Sequence, residues 1–165
     1  MNFESVQADA LALGDALRTR GWRMATAESC TGGLIAAACT SVAGSSDWFE
    51  RGFVSYSNEA KVELLRVEAA LIDCHGAVSE PVARAMALGA LEQARVALAV
   101  AVTGIAGPGG AVPGKPVGTV WLARAVRVDG QPMLRAERLQ LDGDRTAVRE
   151  ATVRAALAWL LEAAR

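Results

Sequence analysis

Strand-like and helix-like segments alternate along this chain, and that alternation leaves few folds open. Apolar residues recur at spacings of three and four in residues 2–19, which predicts an amphipathic helix. Strands are expected at residues 22–27, 51–57 and 97–102. Helices are expected at residues 34–39, 59–65 and 79–94. A chain that alternates in this way is predicted to form an α/β fold with helices layered on a sheet.

The last third of the chain adds an antiparallel element to this picture. Two β-rich runs, residues 119–128 and 132–141, flank Asp129 and Gly130, a pair typical of tight hairpins. A final helix is expected after Asp142, Gly143 and Asp144. The predicted sheet is therefore mixed rather than purely parallel.

Size and composition exclude several classes of protein. The 165 residues suit a single domain, and 52% hydrophobic residues suffice for a full core. No apolar run approaches the roughly 18 residues that cross a bilayer, and the N-terminus does not resemble a secretory signal. We therefore expect a cytoplasmic protein that does not bind membranes. A formal net charge of −1 argues against nucleic acid as a partner.

The cysteines and the histidine argue against a metal site. Cys30, Cys39 and Cys74 form no CxxC pair and are expected to be reduced thiols. His75 is the sole histidine, and its spacing from the cysteines does not match a zinc site.

The turn at residues 29–33, between a predicted strand and a predicted helix, is the first candidate for chemistry. Ser29 lies where a helix N-terminus offers unsatisfied N–H groups, and glycines there let a ligand approach the backbone. Such a turn binds an oxyanion or a phosphate. The alternative is that Ser29 or Thr31 is simply an N-cap. Cys30 is a rival nucleophile.

A serine nucleophile needs a base, and two residues compete for that role. Of 17 basic residues, 15 are arginine and only Lys61 and Lys115 are lysine, which alone can lose its proton near neutral pH. Lys61 is the better partner because Ser–Lys pairs are a known variant of the triad, whereas nothing in the sequence orients His75. As an isolated residue, Lys61 is equally a solvated helix lysine. Tyr56, the sole tyrosine, either orients the nucleophile, stacks on a ring or is an ordinary strand residue.

Residues 103–118 contain six glycines and three prolines and are expected to be irregular. The GxxxxGK match at residues 109–115 is not a Walker A motif, because Pro116 replaces the required Ser or Thr. The start of this segment is placed to wrap a ligand at the carboxyl edge of the sheet, and Lys115 is expected to be solvated. Arg145 and Arg149 share a helix face and either bind an anion or pair at the surface.

Six motifs, taken in order, resemble the CinA C-terminal domain family, the nicotinamide-nucleotide amidases. They are TAESCTGG at 26–33, FVSYSNEAK at 53–61, HGAVS at 75–79, TGIAGPGG at 103–110, KPVGTVW at 115–121 and GDR at 143–145. Each motif is weak alone, but their order over nearly the whole chain is specific. The resemblance implies a single domain over residues 1–165, of three α/β/α layers around a mixed, mainly parallel five-stranded sheet.

The same resemblance implies an activity. The carboxamide of nicotinamide mononucleotide is hydrolysed to nicotinate mononucleotide and ammonia, a reaction of pyridine nucleotide salvage that needs no metal or organic cofactor. Matching positions make Ser29 the nucleophile and Lys61 its base, supported by Tyr56. Substrate binding, including an oxyanion or phosphate site at the turn, is assigned to Thr31, Gly32, Gly33, Thr103, Gly104 and Arg145.

Two other functions stay open at this point. One is a non-catalytic nucleotide-binding or partner-binding module of the competence and damage-inducible type, which uses the same pocket. The other is a cysteine hydrolase built on Cys30. The expected partner is a small pyridine nucleotide, and the chain is expected to form a homodimer or a higher homo-oligomer.

Overall fold

A computed structural model describes residues 4–165, which form six α-helices around one five-stranded sheet. The helices are α1 (Glu4–Arg20), α2 (Leu34–Thr40), α3 (Asn58–Leu65), α4 (Ala69–His75), α5 (Glu80–Ala94) and α6 (Arg145–Ala164). The strands are β1 (Met24–Glu28), β2 (Phe49–Val54), β3 (Leu98–Gly104), β4 (Thr119–Val128) and β5 (Gln131–Gln140). The expected start of the first helix at residue 2 lies outside the described residues.

The sheet has the strand order β2-β1-β3-β4-β5 and confirms the mixed α/β prediction. β1 pairs parallel with both β2 and β3, whereas β4 runs antiparallel to β3 and to β5. Four of the five strands therefore point the same way. Asp129 and Gly130 both have positive φ at the β4–β5 turn, as a two-residue hairpin requires.

The two faces of the sheet carry side chains of different size. Larger side chains such as Leu98, Val100 and Leu122 face the core that contains α1, α2 and α6. The opposite face is lined by alanines, among them Ala25, Ala99 and Ala123, and packs against the core that contains α5. Neighbouring strand residues point to opposite faces of the sheet, so each face has its own core. The helices that cover these two cores are the outer layers of a three-layer α/β/α domain.

Three parts of the fold differ from the prediction. β2 ends at Val54, so residues 55–57 lie outside the strand expected at 51–57. α4 was not expected, because no helix was predicted between residues 65 and 79. Thr103 and Gly104 belong to β3, where they pair with Trp121 and Val120, and not to the irregular segment that follows. Gly104 fits there because a Cβ would lie 2.7 Å from a methyl of Val120. The Gly/Pro loop is accordingly residues 105–118.

Candidate active site

The carboxyl ends of β1 and β2 bring a serine and a lysine together. Ser29 directly follows β1, and the chain leaving β2 enters α3, which carries Lys61 back towards the sheet. The Nζ atom of Lys61 lies 3.3 Å from the Oγ atom of Ser29, although the two residues are 32 positions apart. Ser29 is half-buried.

Lys61 is held inside the protein by backbone carbonyls. Its Nζ donates to the carbonyl oxygens of Ser55, Tyr56 and Ser57 at 3.0, 3.2 and 3.3 Å. The residue is only 1% exposed, so the interpretation of Lys61 as a solvated helix lysine is wrong. Burial lowers its pKa below the ordinary lysine value of 10.5. A buried amine with a lowered pKa is suited to accept the proton of a nearby hydroxyl.

The start of α3, fixed by its N-cap, determines where Lys61 lies. Ser57 is the N-cap residue, and its side chain accepts a hydrogen bond from the backbone N–H of Ala60 at 3.0 Å. The helix start places Lys61 one turn later, which directs its side chain back over the three carbonyls.

Glu28 is the residue that sequence reasoning missed. Its carboxylate is buried and accepts five hydrogen bonds of 2.7–3.2 Å. Two come from the hydroxyls of Thr26 and Thr31, and three come from the first amides of α2 at Gly33, Ile35 and Ala36. An acidic residue just before the candidate nucleophile, facing an uncapped helix start, was the available signal.

Glu28 corrects the expectation of free N–H groups at this turn. The amide of Gly33 donates to Glu28, and the amide of Gly32 donates to the carbonyl of Ser29 at 3.0 Å. Both amides are therefore engaged within the protein. The alternative that Ser29 or Thr31 is the N-cap is also wrong, because Gly33 has that position and no side chain of its own to cap with.

Cys30 lies beside Ser29 but is a poor nucleophile. It is 6% exposed, and burial raises the pKa of its thiol to about 11. The turn around it is anchored to α6, because Arg149 donates to the carbonyls of Cys30 and Thr31 at 3.1 and 2.9 Å. Arg149 thus has a structural partner, and the thiol is protonated at neutral pH.

Tyr56 and Arg145 form a hydrogen-bonded pair, which we call the mouth of the site. The Tyr56 side chain is 56% exposed, and its hydroxyl accepts a hydrogen bond from Arg145 at 3.0 Å. Only the carbonyl of Tyr56 contacts Lys61, so its support of the dyad comes from the backbone. Arg145 also donates to the carbonyl of Gly107 at 2.9 Å, next to a cavity of about 340 Å³ lined by both residues.

The remaining predicted residues bond to other parts of the protein. Thr103 is buried and its hydroxyl donates to the carbonyl of Ala77 at 2.9 Å. Lys115 is not simply solvated, since it donates to the carbonyl of His75 at 3.0 Å and ties the Gly/Pro loop to the end of α4. Within residues 4–165, no group of His, Cys, Asp or Glu side chains is arranged to hold a metal ion. In the same range, no helix is long and apolar enough to cross a membrane.

Comparison with known families identifies the fold and the motifs together. Residues 7–164 match the family described as the CinA C-terminal domain. The chain belongs to the CinA C-terminal domain family. Among solved structures, the competence/damage inducible protein CihA of Agrobacterium tumefaciens superposes with a TM-score of 0.92 at 44% identity, covering 97% of this chain and 96% of that one. A CinA superfamily protein of Klebsiella pneumoniae 700603 gives 0.90 at 40% identity, covering 99% and 98%.

Two kinds of curated relative occur in this family. The nicotinamide-nucleotide amidohydrolase PncC of Escherichia coli K12 is 54% identical over 137 residues, 83% of this chain and 81% of that protein. A CinA-like protein of Syntrophobacter fumaroxidans is 51% identical over 145 residues, 88% of this chain. The chain spans only about a third of that protein's length, 33%.

Not every predicted site residue of this CinA-family chain reaches the dyad. Ser29 and Lys61 are in contact, and Tyr56 and Arg145 pair at the mouth. Thr31, Gly32 and Gly33 surround Ser29 but bond to the protein itself, and Thr103 and Gly104 lie at the end of β3. The roles of these residues towards a substrate stay predictions.

Proposed function

We propose that this chain hydrolyses the carboxamide of nicotinamide mononucleotide, releasing ammonia and nicotinate mononucleotide, with Ser29 as nucleophile and Lys61 as base. The observation that carries the proposal is the buried amine of Lys61, 3.3 Å from the hydroxyl of Ser29 and in no ion pair within residues 4–165. The 54% identity to a nicotinamide-nucleotide amidohydrolase supports the choice of substrate.

The chemistry divides into two proton-balanced halves. In the first, Lys61 takes the Ser29 proton while Oγ bonds to the carboxamide carbon. The C–N bond then breaks, the Lys61 ammonium returns its proton to the leaving nitrogen, and ammonia departs from an acyl-enzyme ester. In the second, Lys61 takes a proton from water as the water oxygen attacks the ester carbon. The C–Oγ bond breaks, and the proton goes back to Ser29.

The three carbonyls around Lys61 suit this cycle. Each accepts a hydrogen bond from the amine, so they stabilise the ammonium that forms whenever the lysine has taken a proton. Burial acts in the opposite direction by disfavouring the charge. The lysine is thereby able to change protonation state in both halves of the reaction.

Arg145 is the cation best placed for an anionic substrate group. Its guanidinium uses one N–H each on Tyr56 and Gly107, which leaves other donors of the fork free for a phosphate. The N-terminus of α2 is not free for that role because Glu28 occupies it. The exposed ring of Tyr56 is available to stack on the pyridine ring.

The decisive test is ammonia release from nicotinamide mononucleotide in a buffer that contains a metal chelator, with Ser29→Ala as the matched variant. Release by the wild type and none by Ser29→Ala is the expected result. A folded wild type that binds the nucleotide and releases no ammonia would show a non-catalytic binding module instead. Equal release by both proteins would exclude Ser29 as the nucleophile.

A further inference from the structure

Beside the dyad lies a buried hydroxyl that bonds to nothing. Ser55 is 0% exposed, and its Oγ has no hydrogen-bond partner. Its backbone groups are both used, since its N–H donates to the carbonyl of Glu28 at 2.9 Å and its own carbonyl accepts from Lys61. Within residues 4–165, Trp48 Nε1 is the only other buried side-chain atom left in this state. An unpaired buried hydroxyl costs stability and calls for an explanation.

The register of the sheet places Ser55 next to the nucleophile. Glu28 pairs with Val54 across the parallel β1–β2 ladder, so Ser29 and Ser55 are the next residues on neighbouring strands. Val54 faces the α2 side, where its methyl lies 3.4 Å from the position of a Cβ on Gly33. Strand alternation then directs Ser55 to the opposite side, with Phe53 and the core that contains α5. Lys61 Nζ is 3.0 Å from the carbonyl of this same residue.

The chemistry of a neutral amine explains what this hydroxyl is for. A neutral lysine has a lone pair that only a donor satisfies, whereas the carbonyls of Ser55, Tyr56 and Ser57 only accept. In the free enzyme the hydroxyl of Ser29 or that of Ser55 is the donor to this lone pair. In the acyl-enzyme the Oγ of Ser29 carries no hydrogen, and without Ser55 the amine would face acceptors alone while it waits for water.

We propose that Ser55 is a positioning residue of the dyad, whose hydroxyl donates to Lys61 Nζ when the amine is neutral. The hydroxyl would approach the amine by rotation about the Cα–Cβ bond of Ser55, whose own carbonyl lies 3.0 Å from Nζ. This role rests on the proposed function for its place in the cycle, but it acts through the lysine and not through the substrate. A donor to the neutral form favours that form, so the hydroxyl keeps Lys61 available as a base.

Other groups around the lysine set the background for this effect. The carboxylate of Glu59, on the lysine's own helix, favours the protonated amine. Cys30, from the turn after β1, does so only above its own pKa of about 11, where the thiol becomes a thiolate. From α4, α5 and β2, which pack against α3, the structure shows no further charged group acting on Lys61 within residues 4–165. At lower pH, Ser55 therefore acts in the same direction as burial and against Glu59.

The test compares Ser55→Ala with Ser57→Ala in the full chain. Ser57 also presents a carbonyl to Lys61, but its hydroxyl caps α3. Three quantities are measured: the melting temperature, the pH dependence of Ser29 modification by a fluorophosphonate, and ammonia release. In the modification the Oγ–P bond forms, the P–F bond breaks, and Lys61 takes the Ser29 proton as fluoride leaves. This readout needs no nucleotide.

Ser55→Ala is expected to melt at or above the wild-type temperature, since the variant removes an unsatisfied hydroxyl. The rate of Ser29 modification is expected to rise with pH in both proteins, but in Ser55→Ala this rising limb lies about one pH unit higher than in the wild type. This is the shift expected when the neutral form of Lys61 loses one hydrogen bond. Ser57→Ala is expected to melt about 3 °C lower, because it loses the α3 cap and the hydroxyl's bond to Glu59. Its limb is expected to move less than that of Ser55→Ala, because the carbonyl of residue 57 that contacts Lys61 stays in place.

Two results would overturn the proposal: an unmoved limb in Ser55→Ala, or a melting temperature that falls as in Ser57→Ala, which would show a structural partner for the hydroxyl. A wild type whose Ser29 is never modified would overturn it as well. A wild type that is modified at Ser29 but releases no ammonia would refute the amidase proposal alone, and the limb would still decide the role of Ser55.

Discussion

At the scale of single residues, the proposed mechanism depends on the protonation state of Lys61. Lys61→Arg is expected to reduce ammonia release by a factor of about 10³, within the range for a lost general base, because a guanidinium keeps its proton. Lys115→Arg is the matched control at the chain's other lysine and is expected to stay active, since arginine also donates to the carbonyl of His75. Activity in a folded Lys61→Arg protein would exclude the lysine as the base.

The lowered pKa of Lys61 predicts a specific pH dependence. Activity should rise with pH along a limb that lies below 10.5, because only the neutral amine accepts the Ser29 proton. Stability should rise over the same window, between the lowered pKa and 10.5, since the unfolded chain there binds a proton that the native lysine does not. Lys61→Met, followed by ammonia release and chemical denaturation, should remove both dependences.

The cysteines provide a separate test of the nucleophile. Burial raises the pKa of Cys30 to about 11, whereas Cys74 is exposed. Iodoacetamide at neutral pH is expected to modify Cys74 first and leave ammonia release intact. Mass spectrometry of the modified protein identifies the site. Loss of activity in step with modification of Cys30 would favour the cysteine hydrolase instead.

At the scale of elements, α2 depends on a residue outside itself. The helix has seven residues and a glycine N-cap, so its first amides rely on the Glu28 carboxylate. Glu28→Gln places an amide NH₂ against backbone donors and is expected to cost about 3 kcal/mol of unfolding free energy. Glu63→Gln, an exposed change on α3, should cost little. Urea denaturation measures both, and equal midpoints would contradict this role of Glu28.

The elements that sequence predicts well are those with local signals. Ser57 and Asp144 cap α3 and α6 at the predicted starts, and Asp129 with Gly130 forms the predicted hairpin. α4 has no side-chain cap and a short span, so no local pattern marks it. The hydrogen bonds of Glu28 join the end of β1 to the start of α2 across a turn. The spacing of residues in the sequence does not predict the backbone path that brings these groups together.

At the scale of the whole molecule, the alanine-lined face of the sheet supports the helices next to the site. Ala101 and its alanine neighbours let α5 approach the sheet closely, and α3 packs in turn against α5. Ala101 is fully buried, so Ala101→Val is expected to overpack this side of the sheet and to cost about 2 kcal/mol of unfolding free energy. Ala136→Val, at a half-buried position on β5, is the control. Denaturation gives the cost, and equal stability of the two variants would contradict close packing here.

Sequence also predicts part of the site and leaves the rest open. Ser29 and Lys61 stand in recognisable motifs, yet the residues that form their surroundings are ordinary ones. The motif does not show that Tyr56 contacts Lys61 through its carbonyl while its side chain is exposed. It also does not show that the Ser57 hydroxyl caps α3 whereas the Ser55 hydroxyl is buried and unpaired. These differences follow from burial and direction, which exist only after the strands have paired.

The dyad consists of a local half and a distant half. The carbonyls that bind Lys61 lie four to six positions before it in the chain, while Ser29 lies 32 positions away, directly after β1. Lys61 and the carbonyls around it thus form one contiguous segment with low contact order. Ser29, the proposed nucleophile, approaches the lysine only when β1 pairs with β2. On the proposed mechanism, the rate at which an electrophile modifies Ser29 during refolding would therefore report when β1 pairs with β2.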